Sequence, residues 1–128
     1  MSNILKKDYL LSWLYLIIAL SGALLTALAN IDFVIQYGPA FNIGLFIDLA
    51  NSNPAAQSLS RDLFVGASAF TIWIIVESRR LKMRYLWFIL LSSITIAFAF
   101  AAPLFLCFRE RRLIELKNKE NINLIQVD

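Results

Sequence analysis

Between Tyr85 and Phe108 the chain runs for twenty-four residues without one charged side chain. A run of that length matches the roughly 20 residues an α-helix needs to cross a hydrocarbon core of about 30 Å. A second run, Tyr9 to Ala29, holds twenty-one residues broken only by Ser12, Ser21, Gly22 and Thr26. Hydrophobic residues make up 59% of the 128 residues and charged ones 16%. A soluble domain this small cannot bury so much apolar surface, so the excess is expected to face lipid. Trp13, Tyr15, Tyr85 and Trp87 sit near the segment ends, where aromatic belts meet head groups.

The third run is short. Leu63 to Val76 is fenced by Arg61-Asp62 before it and Glu77-Ser78-Arg79-Arg80 after it. Its fourteen residues rise about 21 Å, less than the core thickness. Asn53-Pro54 supplies a good N-cap followed by a proline at the first helical position. A helix from Pro54 to Arg80 would hold twenty-seven residues and span about 40 Å, which draws Arg61 and Asp62 toward the membrane.

Between the first two spans, Phe33 to Ser52 is apolar but interrupted by Gln36, Gly38-Pro39, Asn42 and Asp48. Phe41, Leu45 and Leu49 recur every four residues, which fits an amphipathic helix at the interface or a re-entrant element. A fourth full span is the alternative. The expected architecture is all-α: an integral membrane bundle of three transmembrane helices plus this segment. The spans are about 9–29, 58–77 and 85–108, with the interfacial segment at about 33–52. They form a single transmembrane domain over 1–112, and 113–128 is a polar tail that frays after a turn or two.

Lys6 and Lys7 before the first run, and Ala27-Leu28-Ala29 near its end, imitate a signal peptide. The run is longer than the 7–15 residues of a signal h-region, so an uncleaved anchor is expected. Orientation is undecided for three spans. Lys6, Lys7, Arg79, Arg80, Lys82 and Arg84 would lie on one side, and Arg61, Arg109, Arg111, Arg112, Lys117 and Lys119 on the other. The expectation is a cytoplasmic N-terminus and basic loop, with the tail opposite; a fourth span would split the charges eight to four with both termini inside.

The absence of histidine excludes imidazole metal ligands, histidine triads and bis-histidine haem. One cysteine excludes an internal disulfide and any CxxC motif. A net charge of +3 is too small and scattered for nucleic acid. No cofactor is expected.

The stretch Arg61-Asp62-Leu63-Phe64-Val65, then Val76-Glu77-Ser78-Arg79-Arg80-Leu81-Lys82-Met83-Arg84 and Leu86-Trp87, resembles a family of small bacterial membrane proteins. Ala102-Pro103-Leu104-Phe105-Leu106, followed by Arg109-Glu110-Arg111, is similar to the same family's ending. That family is domain of unknown function 2834, and the resemblance covers roughly Leu10 to Leu113. The chain departs from the family pattern at Ser78, usually glycine, and at Gly66, usually serine. The resemblance implies a three-helix protein of a bacterial inner or internal membrane and brings no activity.

The candidate polar residues are Arg61, Asp62, Glu77, Arg79, Arg80, Arg109 and Arg111. Asp62, drawn into a membrane, suits a cation, a proton relay or a polar head group, held by Arg61 or by a polar partner on another helix. The competing reading is that Arg61 snorkels and Asp62 caps or pairs locally. Glu77 is expected to pair with Arg80, with Arg79, Lys82 and Arg84 crowding one loop as an anion site or as ordinary topology-fixing charge. Arg109, Arg111 and Arg112 suit anionic lipid or simply mark a helix end. Small residues at four-residue spacing, Ala19-Ala23-Ala27 and Ser93-Ala97-Ala101, let helices approach closely. Cys107 reads as a small apolar residue.

Function is expected to be that of an accessory or structural subunit, not an enzyme, packing in the bilayer against itself as a homo-oligomer or against a larger complex. A binder or carrier of a hydrophobic small molecule (isoprenoid, pigment or lipid) ranks second. An enzyme acting on such a molecule through Asp62 and Glu77 ranks third.

Overall fold

The computed structural model describes residues 2–125, with side chains from Tyr9 onward. Among them are five helices and no strand: α1 (Ser2–Tyr37), α2 (Ile43–Ala50), α3 (Pro54–Arg80), α4 (Leu86–Thr95) and α5 (Phe98–Ile125). Two of them are long and apolar enough to cross a membrane, α1 over Tyr9–Tyr37 and α3 over its whole length.

Helix α3 has the bounds its caps dictate. The Asn53 side chain accepts from Ala56 N–H at 2.9 Å, and Pro54 occupies the first turn, where its missing N–H costs nothing. At the far end Met83 N–H donates to Ser78 C=O at 2.9 Å and Lys82 N–H to Arg79 C=O at 3.2 Å. This is a Schellman closure, with Lys82 at φ 51° in the position that ordinarily selects glycine. Helix α1 runs on to Tyr37 and stops at Gly38, whose φ of 149° turns the chain ahead of Pro39. The interrupted segment therefore yields only α2, eight residues capped by the Asn42 side chain on Leu45 N–H at 3.1 Å. Phe33 and Tyr37 of α1 and Phe41 and Phe46 around α2 form an aromatic cluster, with ring centroids 5.2–5.4 Å apart.

The expected third span is not a single helix. The uncharged run divides at Ile96-Ala97, and α5 returns antiparallel to α4. The Tyr85 and Phe108 rings lie 5.4 Å apart, and Ile89 shares one buried cluster with Ala101 and Phe105. The hydroxyls of Ser92 and Thr95 bond back to the carbonyls of Phe88 (2.7 Å) and Leu91 (2.9 Å), competing with the helical ladder. The Ser92 carbonyl accepts from both Ile96 and Ala97, the second of these one residue too far for an α-helix. Each arm of this hairpin is short. The ten residues of α4 rise about 15 Å, half a hydrocarbon core. The segment at about 33–52, expected to be interfacial or re-entrant, comprises the end of α1, the turn at Gly38-Pro39 and α2.

Helix α5 packs antiparallel against α1, with Ser12 beside Cys107 and Gly22 beside Ala99. It runs parallel to α3: Phe70 meets Phe98, Trp73 meets Phe105, and Glu77 meets Arg109. The core is where α3, α4 and α5 meet, at Ile74, Ile89, Ala101 and Phe105. The packed face of α1 follows a seven-residue period, Ser12, Ala19, Thr26 and Phe33, with Gly22 and Ala23 between. The expected four-residue stripe drifts off this face, since Ala27 is exposed. At Gly22 an added Cβ would stand 2.3 Å from the Ala99 carbonyl oxygen. That carbonyl is the one Pro103, lacking an N–H, leaves without its ladder donor, so a glycine Cα–H approaches an acceptor in need of contact.

The tail also differs from expectation. Rather than fraying after a turn or two, α5 stays helical to Ile125. Glu115 pairs with Arg112 at 2.7 Å (i−3) and with Lys119 at 2.9 Å (i+4), spacings that support an exposed helix.

Candidate functional site

Residues two apart on a helix project about 200° apart, so consecutive side chains on one turn of α5 can reach different neighbours. Arg109 turns to α3. Its Nε donates to Glu77 Oε1 at 2.9 Å, and its guanidinium lies 5.6 Å from the centre of the Trp73 ring. Arg111 turns to α1, donating from Nε to Ser12 Oγ at 3.2 Å with its guanidinium 5.8 Å from the Trp13 ring centre. Arg112 turns to the α3–α4 loop and donates from Nε to the Leu81 carbonyl at 3.0 Å, satisfying the cap residue of α3. One turn of α5 therefore ties down three other parts of the chain, two of them through a cation over an indole face.

Glu77 is the centre of this clasp. It is 4% exposed, and its second oxygen lies 3.6 Å from Arg80 Nη1. The expected Glu77–Arg80 pair is present but is the weaker of two, because Arg80 is largely exposed and Arg109 is not. Arg109 also reaches Glu110 at 3.2 Å. Ser12 is buried and sits 3.3 Å from Cys107 Sγ and 3.4 Å from its carbonyl. Both oxygens of Glu77 face guanidinium groups, and among the described residues Ser12 and Cys107 bond to each other and Ser12 to Arg111, with no carboxylate. These contacts hold helices together. Among the described residues no three of cysteine, aspartate and glutamate converge as a metal site would require.

Arg61 and Asp62 lie elsewhere. Both are exposed on the first half of α3, and neither makes an ion pair or side-chain hydrogen bond among the described residues. The expected Arg61–Asp62 pair is not formed; adjacent residues on a helix diverge by about 100° and do not face each other. Arg79 is exposed at the end of α3, where its carbonyl takes part in the cap. Sequence reasoning missed Ser12, Trp13 and Trp73 as partners of the arginines. The spacing of Ser12 from Ala19 was the available signal for the first.

The charges are sorted by this fold. Of the twelve Lys and Arg residues, every one except Arg61 belongs to the end of the molecule that holds the clasp: the start of α1, the end of α3, the α3–α4 loop, and α5 from Arg109 onward.

A profile of the family described as "Protein of unknown function DUF2834" matches residues 14–111. The chain belongs to the DUF2834 family. No curated protein and no solved structure matches it. The matched region runs from the clasp side of α1 to Arg111, so every helix-to-helix tie of Glu77 and Arg109 lies within the DUF2834 region, whereas Ser12 and Trp13 lie just ahead of it.

Proposed function

We propose that this DUF2834 protein is a non-enzymatic, multi-pass integral membrane protein of a bacterial inner or internal membrane. Its role is that of an accessory or structural subunit, packing against copies of itself or against a larger assembly. One observation carries the reading. The polar side chains of the clasp are spent on each other, while the apolar surface points outward: Leu59, Leu63, Phe64 and Val65 of α3 are each 64–75% exposed, and the buried residues of α3 are confined to its end, Ile74, Glu77 and Ser78. An apolar helix face without an intramolecular partner belongs against lipid or another helix.

The sorted charges support a topology of two spans and a re-entrant hairpin. Basic residues stay on the cytoplasmic side, so the clasp end is assigned there, with the N-terminus and α5 beyond Arg109 facing the same compartment. Three spans would divide the charges evenly. Labelling of single cysteines placed at Ser2 and Asn123, in a chain with Cys107 replaced by alanine, tests this; labelling of the two from opposite sides removes the topology. The subunit role is tested by light scattering and crosslinking in mild detergent. A mass above one 14.6 kDa chain, or a stoichiometric membrane partner, is expected. A solitary monomer at every detergent and lipid ratio refutes it.

A second reading, carriage of a hydrophobic small molecule, is favoured by an apolar cleft of about 650 Å³. It lies between the end of α1, the start of α2 and the hairpin tip, lined by Ile31, Val34, Phe41, Ile43 and Ile94. Solvent extraction of the purified protein followed by mass spectrometry would return an isoprenoid, pigment or lipid in stoichiometric amount.

A further inference from the structure

We propose that the clasp end carries a binding site for the phosphate group of an anionic phospholipid, seated between the α3–α4 loop and α5. The inference rests on the membrane reading above and adds a ligand to it.

The site is a cleft of about 960 Å³. Its walls bear Lys82 and Arg84 from the loop and Arg111, Arg112 and Lys119 from α5. Glu115 is the single acidic residue of the lining, and it is already engaged by Arg112 and Lys119. Those contacts hold two cations in place along one face of α5 and lower the Glu115 carboxyl's own proton affinity. Lys82 and Arg84 have no carboxylate among the described residues. Five basic groups around one acid leave a concentrated positive potential that a phosphate complements.

Lys82 carries a second, independent signal. It stands at the left-handed position of the Schellman closure, where glycine is the ordinary choice, and it is one of the residues lining the cleft. A residue kept in a sparsely populated conformation with its charge unpaired points to a use for that charge. The Arg112 bond to the Leu81 carbonyl fixes the loop against α5 immediately beside it, so the two walls are held in register.

The floor decides between a free anion and a lipid. Met83, Tyr85 and Phe108 line the cleft on the side that continues into the apolar hairpin, the two rings packed 5.4 Å apart. An acyl chain descends along that surface while its phosphate stays among the cations. A free phosphate has no use for it.

Intact-complex mass spectrometry of the full chain in a neutral detergent provides the test, titrating short-chain phosphatidylglycerol, phosphatidylcholine and inorganic phosphate. One phosphatidylglycerol is expected to be retained per chain, at least about tenfold more tightly than phosphatidylcholine, because the latter's phosphate is offset by its own cation. The double variant Lys82→Gly/Arg84→Gln weakens retention about 30-fold, roughly fivefold per basic group. Glycine suits the left-handed position, so this variant keeps the helix cap. Arg61→Gln, at the other end of α3, leaves retention unchanged. Equal binding of phosphatidylcholine, an unaffected double variant, or an equal loss in Arg61→Gln overturns the site. Full displacement by excess inorganic phosphate overturns the lipid assignment. Carbonate extraction separates the two failures: a chain released as soluble protein defeats the membrane reading, whereas an integral protein without lipid preference defeats this inference alone.

Discussion

Gly22→Ala adds a single methyl group where α1 passes close to the backbone of α5. The new Cβ would lie 2.3 Å from the Ala99 carbonyl oxygen, 2.8 Å from its carbonyl carbon and 3.2 Å from its Cβ. Two of the three obstacles are backbone, so no rotamer change relieves them. Restoring ordinary contact requires the helices to separate locally by about 1 Å, a gap that forfeits a quarter to a half of each neighbouring dispersion contact. Overpacking of this kind costs about 1–3 kcal/mol. Alanine returns up to about 1 kcal/mol of helix propensity. The clash involves main chain on both sides and falls in the upper half of that range, leaving a net loss of about 2 kcal/mol. For a chain of this length that lowers Tm on the order of 5–8 °C. Gly66→Ala is the matched control. Nothing lies within 4 Å of its added Cβ on α3, so the same substitution gains about 0.5–1 kcal/mol. Thermal unfolding of both variants in one detergent, followed by circular dichroism, gives shifts of opposite sign. A Gly22→Ala protein as stable as Gly66→Ala would refute the packing of α1 on α5.

Arg109→Ala leaves the buried Glu77 carboxylate only the exposed Arg80 at 3.6 Å and is expected to cost about 3 kcal/mol, the lower end for a broken buried pair, seen as loss of folded yield. Arg109→Ala/Glu77→Ala together recovers much of that yield, because no lone charge remains. Ser78→Ala raises Tm, since the Ser78 hydroxyl is buried without a hydrogen-bond partner and its removal relieves about 1–2 kcal/mol. Bonds from Lys119 and Arg112 hold the Glu115 carboxyl below its usual pKa, so its support for the last turns of α5 is fully present above the ordinary carboxylate range and lost as pH falls through the lowered value. Protection factors of the amides near residues 112–119, taken against the intrinsic rate at each pH, should therefore fall in acid in the wild type, and Glu115→Gln should remove that pH dependence.

The parts of this fold written in local chemistry were legible. Asn53-Pro54 and the basic residues after Val76 gave the bounds of α3, because a cap and a first-turn proline act within a few residues. The run from Tyr85 to Phe108 was misleading for a physical reason. Absence of charge reports that a segment avoids water, and a hairpin of two half-length helices avoids it as well as one full span does. The break was encoded in Ser92 and Thr95, whose hydroxyls compete for carbonyls, but serine and threonine also pass quietly through membrane helices. The clasp was legible in its residue types and not in its pairings. Glu77 offers Arg80 at three residues' distance, and only the return of α5 brings Arg109 closer. Asp62 interrupts an apolar stretch, yet among the described residues it makes no ion pair or side-chain hydrogen bond.

The sorting of charge bears on how such a chain enters a membrane. No Lys or Arg occurs between Lys7 and Arg61, so the segment that joins the two proposed spans holds α2, its aromatic cluster and Asp48 but nothing an inserting machinery resists moving. In the proposed topology a single translocation event delivers it, with α1 and α3 entering as one helical pair. Everything after Arg80 then stays on the side where it was made. The α4–α5 hairpin dips in and out of one leaflet without carrying any charged residue across, and the three arginines at its exit close the structure from the compartment of synthesis.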